Sequence, residues 1–96
     1  MVTLTVEVFA GRVGETFQID TGGGTVVMSL IESTRLGEAL QPEGRAPFSL
    51  EFLGPLEPVL PQRTYRFEHD QLGELEIFIV PLGPRDDRMR YEAVFA

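Results

Sequence analysis

The sequence predicts a mainly β domain, an antiparallel six-stranded barrel or sandwich with one short N-terminal helix. Three observations lead there. Apolar and polar residues alternate through most of the segments rich in Val, Ile, Phe and Tyr, which is the two-residue period of a half-buried strand. Glycine- or proline-rich punctuation separates these segments. Finally, 96 residues that are 43% hydrophobic, with seven Phe, suffice for one packed core, so residues 1–96 are expected to form a single small domain.

The opening "TLTVEVFAGRVGE" fits two periods. Leu4, Val6 and Val8 alternate, whereas Leu4, Val8 and Phe9 share a helical face; the expectation is a short helix over residues 4–12, capped by Thr3 or Thr5 and stopped by Gly14. "ETFQID" then sets Phe17 and Ile19 on one strand face, and "TVVMSLIES" does the same with Val26, Met28 and Leu30. The "TGGG" between them supplies glycines for a tight hairpin, so these strands pair antiparallel.

"TRLGEALQPEGRAP", residues 34–47, reads as a long loop with one helical turn around Leu36 to Leu40. "FSLEFLG" resumes alternation with Phe48, Leu50 and Phe52 inward. "PLEPVLPQ" ends it, because proline cannot donate to a ladder. Leu56, Val59 and Leu60 in that stretch either cap the open end of the core or form a rigid apolar loop suited to a partner.

The C-terminal third carries the clearest pattern. Tyr65, Phe67 and His69 share one face, as do Leu75, Ile77 and Ile79 after the turn. A register that sets Phe67 opposite Leu75 also sets Tyr65 opposite Ile77 and Arg66 opposite Glu76. "PLGPRDDR" reads as a polar eight-residue connection, and "MRYEAVFA" as a last strand with Met89, Tyr91, Ala93 and Phe95 inward.

Charge and composition narrow the function. The net charge of −7, from fifteen Asp and Glu against eight Arg and no Lys, argues against nucleic acid and anionic membranes as partners. With no Cys and one His, thiol catalysis and the usual zinc sites are excluded, and no cofactor or metal is expected. Neither a signal-peptide pattern nor a long apolar run is present, so a cytoplasmic protein is the expectation.

The single histidine lies in "EHD", where Asp70 and Gly73 bracket a type I turn. Glu68 and His69 are neighbours in a strand and point to opposite faces, so they cannot chelate one ion together. His69 continues the buried face and is expected to be a rim histidine with a hydrogen-bond partner. Glu68 and Glu74 would face each other across the hairpin, a pair able to share a proton or contribute to a calcium site, with Arg66 near enough to neutralise it. Ser29, Ser33 and Ser49 lie in or at the ends of strands, with no histidine near them in sequence.

Two resemblances add to this. Asp20-Thr21-Gly22 resembles the active-site triplet of retroviral-type aspartic proteases, homodimers in which each chain of about a hundred residues supplies one Asp. Against it, Thr25 follows one residue too early, and Phe52-Leu53-Gly54 falls mid-chain where that family needs a supporting segment near its C-terminus. Separately, "LPQRTYRFEHDQLGELEIFIVPLG" and "MRYEAVFA" resemble a small bacterial family of unknown function found beside genes for phage-tail-collar-like proteins. That resemblance implies an accessory or interaction role in a tail-like or surface assembly, and no catalytic residues.

The functional expectation is therefore a non-enzymatic module that binds another protein or itself through an edge strand. Undefended by Lys, the candidate edges are "MRYEAVFA", with Glu92 and Val94, and "FSLEFLG". A closed barrel would instead leave both strands interior. The alternatives are an aspartic protease using Asp20, or a small-ligand-binding barrel.

Overall fold

In the computed structural model, which describes residues 4–38 and 46–95, a five-residue helix α1 (Val6–Ala10) precedes six strands. These are β1 (Thr16–Asp20), β2 (Thr25–Arg35), β3 (Phe48–Pro55), β4 (Arg63–His69), β5 (Gly73–Arg85) and β6 (Arg88–Phe95). All neighbours are antiparallel, and the order β1-β2-β3-β6-β5-β4 closes into a barrel. Closure comes from β1 meeting β4, with Gln18 opposite Glu68, Ile19 opposite Phe67 and Asp20 opposite Arg66.

Alternation fills the interior. Phe17, Ile19, Met28, Leu30, Phe52, Phe67, Ile77 and Tyr91 are all fully buried. Phe17 packs edge-on to Phe52 at 5.6 Å, and Phe52 lies 5.3 Å from Phe67. Each such side chain contributes about 1.5–3 kcal/mol by leaving water. The expected register of the β4–β5 hairpin is the observed one: Phe67 faces Leu75, Tyr65 faces Ile77 and Arg66 faces Glu76.

The two barrel ends are closed differently. At one, α1 inserts Phe9, which is fully buried, among Phe17, Phe48 and Phe95, the last two stacked 4.5 Å apart. At the other, the β3–β4 loop inserts Leu60, whose amide donates to the Tyr91 hydroxyl at 2.9 Å. The Tyr65 hydroxyl donates to the Pro61 carbonyl at 2.7 Å and fixes the same loop. Leu60 thus caps the core, whereas Leu56 and Val59 stay exposed.

Several expectations are corrected. Neither proposed edge strand is an edge: β3 lies between β2 and β6, and β6 between β3 and β5, with Glu92 facing Glu51 on one side and Val80 on the other. Closure removes the free edges that an open sheet would leave. The helix ends at Gly11, and Thr5 at its start makes no side-chain cap bond. Gly14 (φ 96°) instead leads the chain into β1, its amide donating to the Leu30 carbonyl.

Thr34 and Arg35 belong to β2, and the helical turn expected over 36–40 falls partly outside the described residues. The "PLGPRDDR" connection shrinks to Asp86-Asp87, because β5 continues through its prolines to Arg85. Pro81 and Pro84 are tolerated there since β4 has already ended its pairing at Arg63 opposite Ile79, so that side of β5 has no β4 ladder to supply.

Candidate functional site

His69 sits at the rim where α1 meets the barrel, stacked near Phe17 with ring centroids 4.7 Å apart and its side chain 6% exposed. Its Nδ1 accepts the backbone amides of Gln71 and Leu72, at 3.1 and 3.2 Å. An imidazole nitrogen that accepts two N–H groups carries no proton, so the proton is on Nε2, which donates to Glu15 Oε1 at 2.6 Å.

Arg12 completes this cluster. Its Nη1 donates to Glu15 at 3.3 Å and to Gln71 Oε1, while its Nε donates to the Val8 carbonyl. The hydrogen bond from His69, and to a lesser degree Arg12, holds the Glu15 carboxyl below the usual glutamate range. The cluster borders a shallow cleft of about 350 Å3 lined by Glu15, Thr16, His69, Asp70 and Gln71.

The resulting geometry resembles a carboxylate-oriented histidine, but reversed in use. In a general base the nitrogen opposite the carboxylate must be free to take a proton. Here that nitrogen is filled by the turn's own amides. His69 therefore takes the structural role in the β4–β5 turn that the sequence suggested for Asp70, with Gly73 (φ 75°) completing the reversal. The links from Glu15 to His69 and from Arg12 to Gln71 carried no local signal, since their partners lie 54 and 59 positions away.

Asp20 is placed at the exposed start of the β1–β2 hairpin. Its Oδ1 accepts the Gly22 amide at 2.8 Å, and Thr21 donates to the Gly24 carbonyl through both its amide and its hydroxyl. The triplet thus forms an Asx-type turn, in which the carboxylate serves the backbone. Gly22 (φ 87°) supplies the left-handed conformation this turn requires.

Glu68 faces Glu74 as expected, and Arg66 stands between Asp20 and Glu76. Among the described residues no three His, Cys, Asp or Glu side chains converge as a metal site would need. A second acidic row crosses the outer face, where Glu32, Glu51 and Glu92 lie in register on β2, β3 and β6, with Arg90 bonded to Glu51 at 3.2 Å. Ser29 and Ser33 lie in β2 and Ser49 in β3; a bulge at Ile31 turns Ser33 to face Leu50, leaving its hydroxyl buried without a partner.

An apolar recess lies at the Leu60-capped end. It is a groove of about 690 Å3 beside the first half of β2, and its apolar lining includes Val27, Pro55, Leu56 and Pro58. Val27 is 49% exposed and Leu56 40%. The charged residues along it are Glu57, Asp87 and Arg88.

A family model described as a domain of unknown function (DUF6916) matches residues 4–95. No curated protein and no solved structure matches the chain.

Proposed function

We infer that this chain, which belongs to the DUF6916 family, serves as a non-enzymatic interaction or structural accessory module, recognising another protein rather than transforming a small molecule. The observation that carries this reading is the exposed apolar groove at Val27 and Leu56. The side chains that acid or base chemistry would need are committed elsewhere: His69 to its turn and to Glu15, and Asp20 to the Gly22 amide. A core packed with Phe17, Phe52 and Phe67 likewise favours a filled barrel over a ligand cavity. The sequence resemblance to proteins found beside phage-tail-collar-like genes supports a place in a tail-like or surface assembly. Among the described residues no helix is long and apolar enough to cross a membrane; a cytoplasmic setting is part of this proposal.

Affinity capture from the source cells tests it, with the wild-type chain compared against Val27→Lys and Leu56→Lys. The wild type is expected to retain a defined partner that both variants lose while keeping their thermal midpoints. Retention of the same partner by both variants would refute the groove as the binding surface. Light scattering on the same proteins shows whether that partner is a second copy.

A further inference from the structure

We propose that His69 is a proton-operated latch: taking a second proton, on Nδ1, releases the turn from Asp70 to Leu72 and swings Leu72 outward at the α1 end of the barrel, while the ring stays on Glu15. This goes beyond the interaction reading above and does not depend on it.

The two ring nitrogens do opposite jobs. Nδ1 accepts the amides of Gln71 and Leu72 at 3.1 and 3.2 Å, and among the described residues neither amide has a backbone acceptor. The unprotonated nitrogen is what holds both. A proton there makes Nδ1 a donor facing two other donors, so both bonds end together. Nε2 already donates to Glu15, and a positive ring strengthens that bond.

The anchoring decides which side gives way. Glu15 is fastened from behind, because Leu30 donates to its carbonyl at 3.0 Å and accepts the neighbouring Gly14 amide at 2.7 Å. The ring also packs on Phe17. The turn has less to hold it: Gln71 is exposed and reaches only Arg12 with its side chain, and Leu72 is partly buried against the core. It is the turn that moves, and an apolar side chain with it.

The charged groups beside the ring are Glu15 and Arg12, from the connection between α1 and β1, and Asp70, which lines the same cleft from the turn itself. Carboxylates ordinarily titrate below histidine, so their responses separate from that of the latch.

The test follows the isotope-labelled full chain by NMR from about pH 8 to about pH 5, the interval in which histidines change charge. Ring nitrogen shifts report the protons on His69, and hydrogen exchange reports the amides. As the ring takes its second proton, the Gln71 and Leu72 amide signals are expected to move in step with it. The Leu72 protection factor should fall by about tenfold, as for one hydrogen bond of ordinary strength, while that of the buried Ile77 holds. His69→Asn offers an acceptor near the position of Nδ1 that takes no proton, and should show no response; Glu15→Gln should keep it. The proposal is overturned if the ring keeps a single proton throughout, if it titrates with both amides unmoved, if His69→Asn responds like the wild type, or if Glu15→Gln abolishes the response. The wild-type comparison of ring and amides decides even where His69→Asn fails to fold.

Discussion

The Tyr91 hydroxyl accepts the Leu60 amide at 2.9 Å, so a fully buried ring on β6 holds the loop that closes one end of the barrel. Tyr91→Phe leaves that amide without its acceptor and should cost about 1–3 kcal/mol of stability by urea denaturation. Burial raises the Tyr91 pKa, partly offset by the Leu60 bond and reinforced by Tyr65. A folded-state pKa above the unfolded value means the contribution is intact below about pH 10 and lost as the pH rises through the folded value. Tyr91→Phe should lack that alkaline loss.

Glu15 has the opposite sign. Its pKa is depressed by the His69 hydrogen bond, so its contribution is present above the ordinary glutamate range and disappears as the pH falls through the folded value. Glu15→Gln retains an acceptor for Nε2–H but not the charge. The stability difference between wild type and Glu15→Gln should therefore be measurable at about pH 7 and vanish near about pH 2. His69→Ala removes the turn's acceptor as well and should cost more, about 1–3 kcal/mol at neutral pH.

Gly54 lies under Met28. A Cβ at this position would sit 3.1 Å from Met28 Cγ and 3.3 Å from its Cε. Gly54→Ala should thus destabilise by about 1–3 kcal/mol through overpacking. In a Met28→Ala background the same change should cost less, and a double-mutant cycle reads the coupling.

Asp20→Asn keeps an oxygen for the Gly22 amide and should change stability by less than about 0.5 kcal/mol, whereas Asp20→Ala should cost about 0.5–2 kcal/mol. A peptidase activity in acid that Asp20→Asn abolishes would restore the protease reading.

Glu92 lies in register with Glu51, which lies in register with Glu32. Like charges directly opposed across strands are unfavourable, so Glu92→Lys should raise stability by about 0.2–1 kcal/mol, an effect that fades as salt is added.

Much of the fold was legible because local patterning decided it. The β4–β5 register follows from two alternating runs and a short turn, and the β1–β2 hairpin from its glycines. Barrel closure was not legible, since it depends on β1 meeting β4 across about half the chain, and alternation reads the same in an open sandwich. The continuation of β5 through Pro81 and Pro84 was hidden for a related reason: proline breaks a strand only where a neighbour requires its N–H. Of the candidate sites, the rim position of His69 could be read from its place after Tyr65 and Phe67. Its partner Glu15 and the groove at Val27 arise from tertiary placement, which no local spacing encodes.

The cylinder itself is fastened by the shortest of its ladders, three residue pairs between β1 and β4, while β3 and β6 share eight. The molecule is therefore a sheet with a clasp. Three rungs close the cylinder where eight join β3 to β6, so what keeps the clasp shut is largely the buried Ile19–Phe67 pair at its middle rung.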